Sequence, residues 1–246
     1  MHPVLFEWGP FTFYSYGLTI GLGFLAALFL SRRRAQQAGI DPDRVQNLVV
    51  LCLFFGLLGA RAVYIAFNWD FYRSNPLEVI RFDHGGLVFY GGLLTGAAGA
   101  WVYLRWHRMP VGKILDVVTP PMVLAHAIGR LGCFFNGCCY GKPTDLPWGI
   151  VFRGEDFPRH PSQIYESAFL FLLSLYLVRS SMLRRQSAER PGTVFAAYAL
   201  LYGIWRFLAE FLRGDNPLWS LGLTSFQWMS IPLVVLSAFW LIKKPR

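Results

Sequence analysis

Residues 45–67 read VQNLVVLCLFFGLLGARAVYIAF, a run with no acidic side chain and a single arginine, Arg61. A mainly apolar run of about 17–25 residues is long enough to cross a bilayer as an α-helix, because a helix satisfies its own backbone hydrogen bonds. The run therefore predicts a transmembrane helix.

Six further runs have the same character. They are residues 13–30, 85–104, 114–135, 162–178, 193–212 and 226–242. Pro120 and Pro121 interrupt the run 114–135, where we expect a kinked helix because neighbouring helices can satisfy the freed carbonyls. The sequence thus predicts an all-α, polytopic integral membrane protein with seven transmembrane helices, in a single domain that covers residues 1–246.

The composition excludes several other classes of protein. Of the 246 residues, 54% are hydrophobic and only 15% are charged, whereas a soluble domain carries about a quarter charged residues. The high apolar content excludes intrinsic disorder, and four cysteines are too few for a disulfide-stapled secreted domain. The formal net charge of +9 leaves nucleic-acid binding open until the distribution of charge is known.

The basic residues are distributed by side of the membrane. Alternate connections hold fourteen of them: Arg32, Arg33, Arg34, Arg44, Arg105, Arg108, Lys113, Arg179, Arg184, Arg185, Arg190, Lys243, Lys244 and Arg246. Positive residues accumulate in short cytoplasmic loops, so we predict an external N-terminus and a cytoplasmic C-terminus. The first arginines follow the first apolar run, which indicates an uncleaved helix and not a signal peptide. The charge is a topology signal, and we predict no nucleic-acid partner.

Three arginines lie inside the predicted spans: Arg61, Arg130 and Arg206. A charge at that depth costs about 2.5–3.5 kcal/mol on insertion scales and needs a partner or a purpose. In the sixth span Tyr202, Arg206, Glu210 and Arg213 follow at helical spacing and predict one polar stripe. Glu210 can pair with both arginines, which leaves a positive surplus suited to a phosphate. The alternative is a self-contained ion network.

The segment Gly129–Gly141 adds a second candidate. It places Arg130 before a glycine-rich turn, which is typical of an anion cradle. Its cysteines, at positions 133, 138 and 139, are spaced unlike a usual zinc site, so we predict no metal; a disulfide and plain apolar filling both stay open. We also expect Glu166, inside a span, to pair with an arginine. His84 and Tyr90 are candidate proton carriers.

With these motifs the chain resembles the bacterial phosphatidylglycerol–prolipoprotein diacylglyceryl transferases along nearly its whole length. The matching pieces are Tyr16-Gly17, Gly59-x-Arg61, Gly86-Leu-x-Phe-Tyr-Gly-Gly92, Gly129-Arg130-x-Gly132 with Asn136-Gly137, Arg159-His-Pro-Ser-Gln-x-Tyr-Glu166, and Tyr202-Gly203-x-x-Arg206 with Glu210 and Arg213. The resemblance implies a multi-pass enzyme of the bacterial inner membrane. It implies transfer of the diacylglyceryl group of phosphatidylglycerol to the lipobox cysteine thiol of a preprolipoprotein, with release of glycerol phosphate and without a cofactor.

The chain departs from the family pattern at three positions. Tyr90 stands where many members have a histidine, Cys133 where an asparagine is usual, and Cys138 where a glutamate is common. Because Tyr90 replaces the usual histidine, the identity of the proton acceptor stays open. The two cysteines alter the polar surroundings of Arg130.

The resemblance also implies roles for individual residues. The catalytic set is Arg130, Arg206, Tyr90 and Glu210, with both arginines on the donor's phosphate and Glu210 orienting Arg206. The substrate-binding set is Arg130, Tyr16, Asn136, Gly141, Arg213, Tyr202 and Arg61. A small-anion or lipid transporter and a noncatalytic assembly protein are the alternatives; a transporter needs access from both faces, whereas these polar groups lie toward one side.

Overall fold

A computed structural model describes residues 3–9, 11–81, 85–184 and 190–243. Helices dominate the described residues: α1 (Ser15–Gln37), α2 (Pro42–Phe67), α3 (Trp69–Ser74), α4 (Phe89–Trp106), α5 (Val111–Asn136), α6 (Ser162–Arg184), α7 (Thr193–Ala209) and α8 (Ser225–Ile242). Short 3₁₀ turns cover Pro76–Ile80, Glu210–Leu212 and Ser220–Gly222. The predicted proton carrier His84 and the basic residues Arg185, Lys244 and Arg246 lie outside the described residues.

An antiparallel hairpin precedes the helices, which the all-α prediction missed. Its strands are β1 (Val4–Trp8) and β2 (Phe11–Tyr14), and the rings of Phe6 and Phe13 stack 4.4 Å apart. The sequence carries the signal for it, because aromatic and β-branched residues flank a Gly-Pro pair. The first apolar run therefore begins its helix at Ser15 and not at residue 13.

Each of the seven predicted spans overlaps one of the long helices. Among the described residues, five helices are long and apolar enough to cross a membrane: Ser15–Gln37, Pro42–Phe67, Val111–Asn136, Thr193–Leu212 and Ser225–Ile242. The chain is thus a multi-pass membrane protein by helix length and composition. Seven spans and the orientation of the termini stay predictions.

The chain divides into two compact units, Ser31–Ile114 and the remainder, Met1–Leu30 with Leu115–Arg246. In the unit Ser31–Ile114, helices α2 and α4 pack backbone to backbone. A Cβ added to Gly92 would lie 2.8 Å from the carbonyl oxygen of Gly56, and the Thr95 hydroxyl donates to the carbonyl of Phe55 across the pair at 2.7 Å. Small residues permit this close approach, as they do between helices in membranes.

The other unit packs α5, α6 and α7 around an apolar core. Its buried members are Val123, Ala127, Leu170, Leu173, Leu177 and Val194. Helix α5 continues through Pro120 and Pro121 without a loop, as predicted, and the kink expected there stays a prediction. Asp116 on α5 accepts hydrogen bonds from the backbone N–H groups of Val194 and Phe195 at 2.8 and 3.1 Å, and so caps the first turn of α7.

Candidate active site

Arg130 lies in the penultimate turn of α5 and faces Glu166 on α6. Its Nη2 atom is 2.7 Å from Oε2 of Glu166, whose residue is only 4% exposed. The sequence predicted that Glu166 would pair with an arginine, and the structure confirms this with Arg130. A buried ion pair of this kind is costly to break from one side, because the remaining charge has no water to solvate it.

Glu166 also contacts two groups on other helical turns. The Tyr202 hydroxyl donates to Oε1 at 3.2 Å, and His126 Nε2 lies 3.7 Å from the same oxygen. The rings of His126 and Tyr202 meet edge to face at 5.6 Å. Neither Glu166 nor His126 was in the predicted catalytic or binding sets. The available signals were an acid within a span and a histidine one turn before Arg130.

Arg206 on α7 forms a second pair, with Glu210. Arg206 Nη2 lies 3.0 Å from Glu210 Oε2, and the guanidinium sits over the ring of Phe226 at 4.4 Å. Glu210 is 3% exposed and accepts further hydrogen bonds from Asn216 at 2.5 Å and the Thr224 hydroxyl at 2.9 Å. These contacts fix the position of the Glu210 carboxylate in the turn that follows α7.

Arg213 pairs with Asp215, and here the predicted stripe is wrong. Helix α7 ends at Ala209, and the chain is extended at Arg213, so this side chain leaves the helical face of Arg206. Its Nε and Nη2 atoms donate to the two oxygens of Asp215 at 3.0 and 2.5 Å. Burial alone would lower the pKa of Arg213, but the hydrogen bonds to Asp215 outweigh it and raise that pKa.

The predicted surplus of positive charge is also wrong, because each of the three arginines has a carboxylate of its own. The pairs nevertheless form one electrostatic group: His126 interacts with the charges of both Arg130 and Arg206, and Arg130 with that of Arg213. Within the part of the chain that the structure describes, the buried Nε of Arg130 has no hydrogen-bond partner, whereas Nη2 is paired with Glu166 at 2.7 Å. A buried donor without a partner favours an added acceptor.

Tyr16, Asn136 and Gly141 belong to the same unit as the arginine pairs. Tyr16 lies in the first turn of α1, and its ring is near Gly132 on the turn of α5 that carries Arg130. Asn136 ends α5 and is exposed. Gly141 holds the loop together, because its N–H donates to the carbonyl of His160 at 2.8 Å and an added Cβ would lie 2.6 Å from the carbonyl oxygen of Leu212. Gly141 also forms a backbone bridge with Arg213, whereas the structure brings Asn136 to none of the three arginine pairs among the described residues.

The loop after α5 carries a partly buried ion network. Glu155 accepts hydrogen bonds from the hydroxyl of Tyr140 and from Arg159, whose Nη2 lies 2.5 Å from it. These two partners hold the pKa of Glu155 below its ordinary range. The network braces the segment that leads to α6.

Three cysteines converge beside Arg130. The sulfur atoms of Cys133, Cys138 and Cys139 all lie within 4.8 Å of one another, and Arg130 Nη1 is 3.8 Å from the sulfur of Cys133. All three are free thiols. Sequence spacing had argued against a metal here, whereas the fold brings together the soft ligands that zinc prefers.

Two predicted site residues belong to the unit Ser31–Ile114. Arg61 is 3% exposed, and its guanidinium donates to the backbone carbonyls of Glu78, Val79, Arg81, Gly85 and Gly86. Its five N–H donors are thus all engaged, which indicates a structural role; its headgroup contact stays untested. Tyr90 lies in the first turn of α4 and is 39% exposed.

The apolar helices and the buried arginine–carboxylate pairs define a multi-pass membrane protein with a polar centre inside one helical unit. The family model described as prolipoprotein diacylglyceryl transferase matches residues 3–243. The chain belongs to this family and is a transferase.

Three relatives show the extent of the similarity. Proteins named phosphatidylglycerol–prolipoprotein diacylglyceryl transferase occur in Clostridium tetani, 38% identical over 97% of this chain and 96% of that protein, and in Nitratidesulfovibrio vulgaris, 37% identical over 95% and 88%. The protein of that name in Parasynechococcus marenigrum is 34% identical over 98% of this chain and 94% of its own length.

Proposed function

We propose that the protein transfers the diacylglyceryl group of phosphatidylglycerol to the lipobox cysteine thiol of a preprolipoprotein and releases glycerol phosphate. Family membership and the names of the relatives support the reaction class. The observation that carries the proposal within this chain is Arg130, whose buried Nε has no hydrogen-bond partner among the described residues. A phosphate oxygen is the acceptor that suits a guanidinium best.

The reaction is a displacement at a glycerol carbon. A carbon–sulfur bond forms as the thiolate attacks, and the carbon–oxygen bond to phosphate breaks with its electron pair on the oxygen. The thiol proton is released to a base. Negative charge therefore grows on the leaving phosphate during the step, and preorganised donors stabilise that charge most in the transition state.

The pairing of each arginine with a carboxylate fits this requirement. An electrically neutral set of pairs attracts the singly charged lipid only weakly, whereas its guanidinium donors interact more strongly with the extra charge that develops on the phosphate. Arg130 and Arg206 contact the phosphate, and Arg213 supports it from the rim. Glu166 orients Arg130 as Glu210 orients Arg206, through the pairs at 2.7 and 3.0 Å.

The remaining predicted residues act around the headgroup. Tyr16 and Tyr202 contact it or its surroundings, and Asn136 and Gly141 shape the loop beside it. Tyr90 contacts the headgroup or assists proton transfer. We further propose that the chain forms one functional domain with seven spans in the bacterial inner membrane, with its N-terminus outside and its C-terminus in the cytoplasm.

The test is a transfer assay with phosphatidylglycerol and a lipobox peptide, using purified full-length protein. Arg130→Ala and Arg206→Ala are each expected to lower the rate by at least about 100-fold, the scale for removal of one oxyanion-type donor. Arg153→Ala, at an exposed loop arginine, is the matched control and keeps wild-type activity. Wild-type turnover in either arginine variant contradicts the phosphate assignment.

A further inference from the structure

The cluster of Cys133, Cys138 and Cys139 is built by the surrounding fold. Cys133 lies on the last turn of α5, and the next two follow in the loop. The first residues of α6 hold that loop: the Ser162 hydroxyl donates to the carbonyl of Cys139 at 2.8 Å, and the Gln163 amide donates to that of Cys138 at 2.6 Å. The three thiols are therefore positioned by buried side chains.

The backbone of the loop is strained at one of these cysteines. Cys139 has a φ of 65°, in the left-handed region that residues with a Cβ adopt rarely. A non-glycine residue persists there only when its surroundings fix it, and such positions cluster at functional sites. In this conformation the sulfur of Cys139 lies 3.6 Å from that of Cys138.

The sulfur geometry is close to that of a metal site. Zinc–sulfur bonds of about 2.3 Å in a tetrahedral site place the sulfurs about 3.8 Å apart. The sulfurs of Cys138 and Cys139 are 3.6 Å apart, and all three pairs lie within 4.8 Å. A disulfide between the adjacent cysteines is disfavoured, because consecutive Cα atoms about 3.8 Å apart fall below the usual span of a disulfide.

One guanidinium lies beside the thiols. Three thiolates and one Zn²⁺ carry a net charge of −1, and hydrogen-bond donors near the sulfurs stabilise such a group in a partly buried site. Arg130 Nη1 lies 3.8 Å from the sulfur of Cys133, while Nη2 of the same guanidinium is paired with Glu166. Arg130 therefore places one donor beside a thiolate without supplying unpaired positive charge.

From this arrangement we infer that Cys133, Cys138 and Cys139 bind one zinc ion through three thiolates and leave its fourth position for the thiol of the acceptor peptide. This inference rests on the proposed function. Three protein ligands and one open position are typical of catalytic zinc. A thiol that binds the ion releases its proton to solvent and becomes a thiolate, and Arg130 beside the cluster brings the phosphate-binding donors close to it.

The transfer step at the zinc exchanges a carbon–oxygen bond for a carbon–sulfur bond. The zinc-bound thiolate forms the carbon–sulfur bond while the carbon–oxygen bond to phosphate breaks, and the electron pair leaves with the phosphate oxygen. The thioether product is uncharged and binds zinc more weakly than the thiolate did, so the fourth position opens again. Zinc thus supplies the thiolate, and no oxidant or reductant is required.

The first measurement is the metal content of the full-length protein, purified under reducing conditions with zinc present. We expect about one zinc per chain in the wild type and in Cys52→Ser, a control at a cysteine on α2 outside the cluster. The triple variant Cys133→Ser, Cys138→Ser, Cys139→Ser is expected to hold none. Absence of zinc from the wild type, or equal zinc in the triple variant, overturns the inference.

The second measurement uses the wild type alone, so it does not depend on how the variants fold. The zinc is removed with a chelator and replaced by Co²⁺, whose sulfur-to-metal absorbance reports thiolate ligands. A lipobox peptide is expected to increase that absorbance by about a third, because its cysteine adds a fourth thiolate ligand to the three from the protein. The same peptide with serine in place of cysteine is expected to leave the absorbance unchanged. If the cysteine peptide leaves the absorbance unchanged, the inference that the metal has a fourth position for the acceptor thiol is wrong.

The transfer assay separates the two proposals. A wild type that transfers from phosphatidylglycerol but holds no zinc overturns this inference and leaves the proposed function standing. A zinc-loaded protein that gains the fourth thiolate but transfers nothing overturns the proposed function alone. Thiols that titrate as a disulfide in the active, metal-free enzyme also overturn the zinc site.

Discussion

Arg130 and Arg61 are both arginines within predicted spans, yet the structure surrounds them differently. Arg61 directs its donors at backbone carbonyls, whereas Arg130 is paired with a carboxylate and keeps its buried Nε without a partner in the described part of the chain. The sequence predicts that each needs a partner, because a charge at that depth is costly. It does not distinguish the partners, because they come from residues distant in sequence that only the fold brings together.

Glu166→Gln tests whether this carboxylate positions Arg130. The substitution removes the counterion of a buried arginine, so we expect a loss of about 3 kcal/mol in stability and at least about 100-fold in transfer. The readouts are the thermal unfolding midpoint and the rate with phosphatidylglycerol. If Glu166 had only a structural role, the variant would keep the wild-type transfer rate at temperatures well below its unfolding midpoint.

A matched control is Glu155→Gln, at the partly buried carboxylate that pairs with Arg159 in the loop after α5. Glutamine keeps one acceptor oxygen and the pair is still partly solvated, so we expect stability to fall only slightly and activity to stay within about twofold of the wild type.

Tyr90→Phe tests the residue that replaces the family's usual histidine. If Tyr90 binds the headgroup, loss of its hydroxyl removes one hydrogen bond, worth about 1 kcal/mol, and lowers the transfer rate roughly fivefold. The measurement is the rate at saturating and limiting phosphatidylglycerol. Complete inactivity would instead assign Tyr90 a direct part in proton transfer.

At the scale of elements, the sequence predicted the helices better than their ends. Apolar runs located the seven long helices of the described residues, and five of these are long and apolar enough to cross a bilayer. The end of α7 at Ala209 was missed, since nothing in the periodicity of residues 202–213 interrupts a helix. That single boundary explains why Arg213 pairs with Asp215 and not with Glu210. The hairpin was missed because its aromatic residues also read as the start of an apolar span.

Gly132→Ala tests the contact between α1 and α5. A Cβ at Gly132 would lie 2.1 Å from the hydroxyl of Thr19 and 3.2 Å from the ring of Tyr16, so α1 must shift and move Tyr16 relative to Arg130. We expect transfer to fall by about tenfold and stability by about 1–3 kcal/mol, the usual cost of overpacking.

The paired control is Gly21→Ala, also on α1, where an added Cβ has no neighbour within 4 Å among the described residues. It is expected to leave activity and the unfolding midpoint unchanged. Equal effects of the two substitutions would contradict a specific role for the α1–α5 contact.

At the scale of the whole molecule, composition and charge distribution predicted the class of protein. The low fraction of charged residues excludes a soluble globule, and the comparisons match the chain from residue 3 to residue 243. The division into two compact units was not predicted, because it depends on contacts between helices and not on the length or composition of any one of them.

The predicted orientation is tested on the full-length chain with a reporter fused after Arg246. With a cytoplasmic C-terminus, green fluorescent protein folds and fluoresces there, while alkaline phosphatase stays inactive. The two reporters serve as controls for each other. Active phosphatase with a dark fluorescent fusion would reverse the topology and, with it, the side from which the acceptor peptide reaches the arginines.

Because Arg61 donates to five backbone carbonyls, this part of the enzyme depends little on the lipid or detergent around it. One side chain takes the place of the water that would otherwise hydrate the carbonyls of Glu78, Val79, Arg81, Gly85 and Gly86. The positions of these five carbonyls are therefore expected to be the same in thin and thick bilayers and in detergent micelles. Lysine, with three donors in place of five, would leave them dependent on the host lipid.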